Sequence, residues 1–523
     1  MRASPNGRFP ILRLATLTVA ALCIHGYHLG VEDGEIYIPA AKKLLHPELY
    51  PFATEFFLSH GHLSLFSPTL AWTAKITHLS MDWTILGWYI VTLFAMLASC
   101  WTLAAACFTS ERARWCSMLV ATAVLSMPAT NTSLLLIDPY LTARSFSTPL
   151  TLFGLAAFME RKYAGVAVAL LLTALIHPQM VVYALFLIGV IWLVERNRPR
   201  VRAEIPVMAS VASMAWMVPV KTAWFPSAKS LAGVLPTGFH LAPATEPYRE
   251  ALYSRDYYFL ANWSWYHWLG MLAPLAILAW FWRGKLRGTR PGFERLSFAM
   301  LPFGLLSIVA GLIFSSTHEF DMFARLQPLR CFHLITLVFV ILLAGVIGEY
   351  WAKGRSWVLA AVSVPLAIGM FFVARETYAN SPQIEFPSQT SSNPWVNTLL
   401  WVRRNTPADA VFAVDSRYFK DEVTDVHGFR AVSERSALAD YFKDGGVVSL
   451  FPTLATEWKQ MSNATYGLNH FTAADFQRLQ KAYPEVSWTV VHGAAPAGLD
   501  CPYQQQGYAV CRLSQPPMTA SLR

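Results

Sequence analysis

The sequence carries little charge for its length. Only 14% of its 523 residues are Asp, Glu, Lys or Arg, whereas 54% are hydrophobic and the mean hydropathy is +0.37. Soluble domains typically contain about 25% charged residues. This composition excludes an ordinary soluble protein of this size, and we expect an integral membrane protein.

Several functional signatures are also missing. The sequence has no phosphate-binding loop of the Walker type, no glycine-rich dinucleotide motif, no paired cysteines at zinc-binding spacing and no internal repeat. It therefore predicts no nucleotide cofactor. The net charge of +9 does not indicate nucleic acid, because the excess Lys and Arg residues lie in short segments beside apolar runs, where they act as topology signals.

Basic residues gather at one end of the apolar segments, whereas carboxylates, histidines and aromatic residues lie at the other. The basic clusters are Arg2 to Arg13, Arg112 with Arg114, Arg161 with Lys162, Arg196 to Arg202, Arg283 to Arg295, and Lys353 with Arg355. The positive-inside rule places these clusters in the cytoplasm. The remaining polar residues are then collected at the outer membrane face.

A transmembrane helix needs about 20 apolar residues. This length predicts eleven helices, near residues 11–29, 83–107, 115–130, 141–159, 164–177, 179–194, 204–220, 263–282, 297–315, 331–349 and 356–373. The first is expected to stay uncleaved, since no small-x-small site precedes Glu32. His177-Pro178 is predicted to divide a hairpin of two short helices, and Leu63 to Leu79 to lie in the interface or re-enter it. The N-terminus is then cytoplasmic.

The chain changes character after the last apolar segment. We expect a transmembrane domain over residues 1–374, with a first extracytoplasmic loop at 30–62, and a small extracytoplasmic α/β domain over residues 375–523. The fold class is thus an all-α polytopic membrane protein with about eleven transmembrane helices and a C-terminal α/β domain.

Local patterns support this C-terminal domain. Residues 393–405 have the pattern of an amphipathic helix, and residues 410–414 and 486–491 those of strands. Cys501 and Cys511 bracket a polar, hairpin-like segment, and an oxidising compartment favours a disulfide between them.

Three carboxylates follow the first apolar segment directly: Glu32, Asp33 and Glu35. Such a cluster suits a divalent cation, Mg²⁺ or Mn²⁺, bound by Asp33 and Glu35, or a carboxylate acting as general base beside a charged neighbour. The alternative is that these are solvated loop acids.

The segment from Glu32 to Leu45, which continues the acids into an amphipathic helix, resembles the first extracytoplasmic loop of the GT-C superfamily of polyprenyl-phosphate-dependent glycosyltransferases. The segment from Trp401 to Phe412 is similar to one that follows the last span in bacterial GT-C-like membrane proteins. In this chain Gly34 separates the acids, which leaves open whether Asp33 or Glu35 is the base.

The resemblance implies a glycosyltransferase of the bacterial cytoplasmic membrane. It implies transfer of a sugar from a polyprenyl-phosphate donor to a glycan, lipid or protein acceptor at the outer face, with a periplasmic C-terminal domain. Asp33 would then deprotonate the acceptor, and Glu32 or Glu35 would hold the metal. The alternatives are a transporter or flippase of a phosphorylated lipid or glycan, and a non-catalytic envelope assembly protein.

Further polar residues are predicted at the same face. Asp138 precedes a span whose first turn carries Arg144, and this pair is either structural or part of a substrate site. His177 at the hairpin tip either contacts substrate or satisfies backbone groups freed by Pro178.

Two arginines, Arg325 and Arg330, stand at the outer entry to a span, where the positive-inside rule disfavours them. A lipid-phosphate leaving group is the favoured partner of at least one. The alternative is that these arginines pair with Glu319 and Asp321. His318, which precedes these two acids, is a further predicted contact to substrate or metal. The aromatic segment after Lys221 fits sugar stacking or a membrane belt, with polar contacts supplied by Arg249, Arg255 and Asp256.

Overall fold

The computed structural model describes residues 9–196, 244–315, 318–352, 355–387, 389, 391–419 and 425–513. The helix predicted at residues 204–220 and the first part of the aromatic segment, up to residue 243, lie outside these residues. Glu319 is described only through its backbone.

The described chain is mostly helical up to residue 377. Its helices are α1 Ile11–His25, α2 Gly34–Leu45, α3 Glu55–Gly61, α4 Phe66–Thr77, α5 Met81–Cys107, α6 Glu111–Ala123, α7 Ala143–Met159, α8 Tyr163–Ile176, α9 Pro178–Arg196, α10 Glu246–Tyr253, α11 Trp265–Gly284, α12 Pro291–Phe314, α13 Asp321–Ala324, α14 Cys331–Tyr350 and α15 Ser356–Thr377. Each helix predicted as a span within the described residues coincides with one of these.

Fewer of the described helices than predicted are long and apolar enough to be membrane spans. Five described helical stretches are long and apolar enough to cross a membrane: Met81–Cys107, Pro178–Glu195, Pro291–Phe314, Asp321–Tyr350 and Trp357–Thr377. Other apolar helices are short, such as α1 with 15 residues and α8 with 14. A helix of 15 residues extends about 22 Å at 1.5 Å per residue, less than the roughly 30 Å hydrocarbon core. The count of eleven is therefore not confirmed.

The remainder is a mixed α/β region. It contains helices α16 Pro394–Asn405, α17 Phe429–Ser433, α18 Lys443–Leu450, α19 Ala455–Ala464 and α20 Ala473–Ala482, and strands β1 Val411–Val414, β2 Ser436–Ala437, β3 Val486–His492, β4 Asp500–Gln505 and β5 Tyr508–Arg512. The strand order is β2-β1-β3-β5-β4, parallel from β2 to β3 and antiparallel beyond. The predicted helix at 393–405 and both predicted strands are present.

A hairpin joins β4 and β5, and a disulfide links Cys501 to Cys511 across it. The two turn residues, Gln506 and Gly507, both have positive φ, at 52° and 82°. Tight hairpins of type I′ need positive φ at both central residues, which favours Gly at the second.

Two of the hydrophobic cores in the described residues bear on the position of the polar loop segments. The first lies among the apolar helices, where α14 packs against α6 and α7 packs against α5 and α8. The second joins the first loop to the α/β region: Tyr50, Phe56 and Phe57 pack with residues of α10 and with Val447 and Trp458. This second core positions α18 over the start of α2.

Candidate functional site

A polar cleft lies where α2, the α8–α9 junction, the segment before α14 and α18 meet. It encloses about 1100 Å³, including the part open to solvent. Its polar lining residues are Glu32, Asp33, Tyr37, His60, Ser64, Ser133, Tyr140, Arg144, His177, Gln179, Arg255, Tyr257, Tyr258, Gln327, Arg330 and Lys443.

Asp33 stands at the N-terminus of α2 and contacts two cations. Both terminal nitrogens of Arg144 lie 3.3 Å from its Oδ2, and Nζ of Lys443 lies 3.7 Å from its Oδ1. Burial would raise the pKa of Asp33, but the charges of Lys443 and Arg144 outweigh burial and hold that pKa well below its usual range. Asp33 is therefore a carboxylate at neutral pH, held in place from two sides.

Arg144 links Asp33 to a second acid. Its Nη2 donates to Oδ2 of Asp138 at 2.7 Å, and Thr142 donates to the same oxygen at 3.3 Å. Burial raises the pKa of Asp138, against the opposing charge of Arg144. Arg144 lines the cleft but Asp138 does not. The predicted ion pair is thus present, and it holds a cleft residue in place.

Arg255 and Arg330 both line the cleft without a carboxylate partner. Among the described residues, no carboxylate oxygen lies within 4.0 Å of either guanidinium, and the buried Nε of each has no hydrogen-bond partner. Arg330 donates from Nη2 to the Tyr257 hydroxyl at 3.3 Å, and Arg255 donates to the carbonyl of Phe442. A buried guanidinium with a free donor requires an anionic or strongly polar partner.

Two histidines complete the polar wall. His177 ends α8 and lines the cleft at the hairpin tip, as its predicted contact with substrate requires. Burial lowers the pKa of His60 to about 4, against the attraction of Asp33. At neutral pH the His60 imidazole is uncharged and offers one donor and one acceptor.

Comparisons with known proteins give similarity among solved structures alone. No protein-family model matches the chain, and neither does any curated protein. Among solved structures, the apo oligosaccharyltransferase of Archaeoglobus fulgidus aligns over 94% of this chain and 70% of its own, with a TM-score of 0.44 and 10% identity. The chain resembles an archaeal oligosaccharyltransferase.

A second neighbour is the archaeal oligosaccharyltransferase AglB from Archaeoglobus fulgidus, in complex with an inhibitory peptide and a dolichol-phosphate. It aligns over 92% of this chain and 69% of its own, with a TM-score of 0.43 and 10% identity. A similarity at this level does not identify the reaction of this chain.

Two predicted site residues, Glu35 and His318, lie away from the cleft. Glu35 turns away from Asp33 and accepts hydrogen bonds from Nε of Arg430 at 2.8 Å and from the backbone N–H of Ala431 at 3.0 Å. This contact corrects the expectation that Glu35 works beside Asp33. His318 contacts the Tyr253 hydroxyl at 2.8 Å and does not line the cleft.

Arg325 also does not line the cleft, although Arg330 does. Arg325 follows the helical turn α13 directly, whereas Arg330 is the last residue of the short 3₁₀ turn Pro328–Arg330 that comes next. The prediction that at least one of these arginines contacts a phosphate therefore rests on Arg330.

Lys443 and His60 were not predicted. Lys443 reaches Glu32 from α18, 411 residues away along the chain. No local pattern marks such a residue, because its role arises from the packing of the α/β region on the first loop. Arg255 was predicted only as a polar contact of the aromatic segment.

The cleft does not fit a resident divalent cation at Asp33 and Glu35. Arg144 and Lys443 already occupy the positions around Asp33 that a cation would take, and Glu35 belongs to a different cluster. In the described part of the chain, Glu385, Asp425 and His427 form the group of ligand-type residues close enough to hold a metal ion. None of these three lines the cleft.

Proposed function

We propose that this protein transfers a glycosyl group from a polyprenyl-phosphate donor to an acceptor at the outer face of the cytoplasmic membrane. The observation that carries the proposal is the pair of half-buried arginines, Arg255 and Arg330, which face one cleft without a carboxylate partner in the described residues and with buried Nε donors that have no hydrogen-bond partner. A phosphate group supplies the negative charge and the acceptor oxygens that such guanidinium groups require.

The donor phosphate would bind between Arg330 and Arg255. Tyr257 supports Arg330 through its hydroxyl and through its ring, whose centre lies 5.4 Å from the guanidinium carbon. When the bond between the anomeric carbon and the phosphate oxygen breaks, the electron pair stays on that oxygen. The two arginines then stabilise the negative charge that develops on the lipid phosphate.

The acceptor would bind on the Asp33 side of the cleft. Its nucleophilic atom attacks the anomeric carbon, and its proton passes to Asp33 as the new bond forms. The low pKa of Asp33 makes it a weak base for a free hydroxyl. A weak base suits a transition state in which the bond between the anomeric carbon and the phosphate oxygen is already largely broken. The attacking group then becomes acidic, and gives up its proton, late in the reaction.

The orientation and domain arrangement belong to the same proposal. The α/β region, predicted as residues 375–523, would cover the cleft from the periplasmic side of a bacterial inner membrane, since α18 contributes Lys443 to the wall. Lys443 contacts Asp33 and Glu32, so this region takes part in the site and does more than anchor the protein.

Binding of a polyprenyl phosphate to the purified full-length protein in detergent tests the proposal. We expect Arg330→Gln to weaken binding by about 10- to 100-fold, because a charge-assisted hydrogen bond contributes about 1.5–3 kcal/mol. The matched control is Arg325→Gln, which removes the same side chain outside the cleft and should bind like the wild type. Equal loss in both variants, or in neither, contradicts the proposal.

A further inference from the structure

Three segments distant in sequence run side by side behind the loop that carries Asp33. Tyr27 donates its N–H to the carbonyl of Gln383 at 2.9 Å and accepts from the N–H of Glu385 at 2.9 Å. Gly428 donates to the carbonyl of Gly30 at 2.8 Å. The residues leading out of α1 are thereby held between the segment after α15 and the segment before α17.

A cluster of two carboxylates and two histidines lies at this junction. Both carboxylate oxygens of Glu385 lie 2.9 Å from Nε2 of His427, and His28 Nδ1 lies 3.4 Å from Oε1 of Glu385. On the other side of the His427 ring, Nδ1 is 3.7 Å from Oδ1 of Asp425. Ser381 donates its hydroxyl to that Asp425 oxygen at 2.9 Å.

The charges of this cluster are not balanced by a basic side chain. Across the residues that the structure covers, the ion pairs of Glu385 and Asp425 are made with histidine only, and no Lys or Arg nitrogen lies within 4.0 Å of either carboxylate. The Asp425 and His427 side chains are fully buried, and Glu385 is 10% exposed. Two buried carboxylates without a cation are unfavourable.

An unused ligand atom points into the cluster. Nδ1 of the fully buried His427 has no hydrogen-bond partner, although it faces Asp425. A buried imidazole nitrogen without a hydrogen-bond partner is free to bind a metal ion, and here it lies beside the carboxylate oxygen of Asp425.

We propose that Glu385, Asp425 and His427 form a binding site for a divalent transition-metal cation of the Zn²⁺ class. One ligand atom from each of the three lies within 4.8 Å of the others. Oxygen and nitrogen ligands about 2.0–2.2 Å from a tetrahedral Zn²⁺ lie roughly 3.3–3.6 Å apart, so small side-chain rotations close the site. His28, in contact with Glu385, is the available fourth ligand.

The site is structural and separate from the cleft. Its residues come from the segment after α15 and the segment before α17, and His28 lies on the segment that leads to Asp33. A bound cation would fasten these segments together and fix the position of the loop that carries Asp33. Metal binding at this junction stabilises the folded state, since the unfolded chain does not present the ligands together.

The test uses the full-length protein, purified in detergent without chelator, then stripped with EDTA and titrated with Zn²⁺ or Co²⁺ alone. We expect about one metal ion per chain by elemental analysis, a visible absorption band with Co²⁺, and a higher midpoint of thermal unfolding with Zn²⁺. His427→Gln and Asp425→Asn should each weaken metal binding by at least tenfold.

Two controls separate this site from others. His46→Gln removes a histidine of an exposed His46–Glu48 pair and should leave metal binding unchanged. Asp33→Asn changes the cleft and should also bind metal like the wild type. Loss of binding in Asp33→Asn with full binding in His427→Gln would place the metal in the cleft and overturn the proposal.

The wild-type measurement decides the case even if the His427 variant does not fold. If the wild type binds neither metal and its unfolding midpoint does not change, the proposal is wrong. The cluster is then balanced by protons, with a charged His427 held between the two carboxylates.

Discussion

Arg430 and Arg330 show two ways in which this protein buries a guanidinium. Arg430 donates to Glu35 and Asp444 and lies 3.6 Å from Asp440, so carboxylates surround its charge. Arg330 lies at the wall of an open cleft, with a tyrosine hydroxyl as hydrogen-bond acceptor and no carboxylate within ion-pair distance in the described structure. Protein carboxylates therefore balance the charge of Arg430, whereas the charge of Arg330 has no such partner among the described residues.

The difference indicates which polar residues hold the fold and which bind a ligand. Glu35 and Asp33 are two residues apart, yet Glu35 is enclosed with Arg430 and Asp33 is 28% exposed to the cleft. Proximity in the sequence therefore does not mean a shared role. What separates them is whether the surrounding side chains use all of the available donors and acceptors.

The largest expected effect comes from Asp33→Asn. This change should lower glycosyl transfer by about 10²- to 10⁴-fold, because it removes the group that takes the acceptor's proton. The thermal unfolding midpoint should change little. Release of polyprenyl phosphate from a lipid-linked sugar measures the rate, and Glu48→Gln, an exposed acid of the same loop, is the control. Undiminished transfer in the Asp33 variant would exclude Asp33 from the mechanism.

Arg430→Met should have the opposite profile. It leaves Glu35, Asp440 and Asp444 buried without their cation, which is expected to cost about 3–5 kcal/mol of folding free energy. The matched change is Arg512→Met, which breaks an ion pair whose side chains are 60% and 66% exposed. We expect no measurable change in the unfolding midpoint there. Similar unfolding midpoints for Arg430→Met and Arg512→Met would contradict the expectation that the buried arginine contributes more to stability than the exposed one.

The smallest expected effect is on pH dependence. Lys443→Met removes a positive charge beside Asp33. Less charge then opposes the effect of burial on that carboxyl group, so the pKa of Asp33 should rise. Because the carboxylate is the active form, the acidic limb of the pH–rate profile should move to higher pH. The measurement is the transfer rate from about pH 3.5 to pH 8: the wild type should keep its rate to the acidic end, whereas the variant should lose rate as the pH approaches the ordinary Asp pKa near 3.9. An unchanged profile would mean that Lys443 does not control the charge of Asp33.

Part of the site could be predicted from the sequence. Asp33, Arg144, His177 and Arg330 were identified because each is a polar residue at the outer end of an apolar segment, where it is costly without a function. Periodicity also predicted α16, β1 and β3 correctly. These signals are local, and they need only the residues next to them in the chain.

Other parts of the site depend on contacts that the sequence does not show. Arg325 and Arg330 have the same local signal, and only the turn between them decides which one faces the cleft. The predicted count of eleven spans is not confirmed, for a related reason. An apolar run in the sequence predicts that a helix forms there. The length of that helix depends on the capping residues and neighbouring helices at its two ends.

The amino-acid sequence alone indicates a multi-pass membrane protein and predicts which residues form its apolar helices. These properties follow from composition and periodicity, which act along the chain. The tertiary structure alone decided that Lys443 joins Asp33, that Glu35 joins Arg430, and that Glu385 meets His427. Those pairings bring together distant segments, and they arise from the packing of the α/β region against the first loop, which no local pattern encodes.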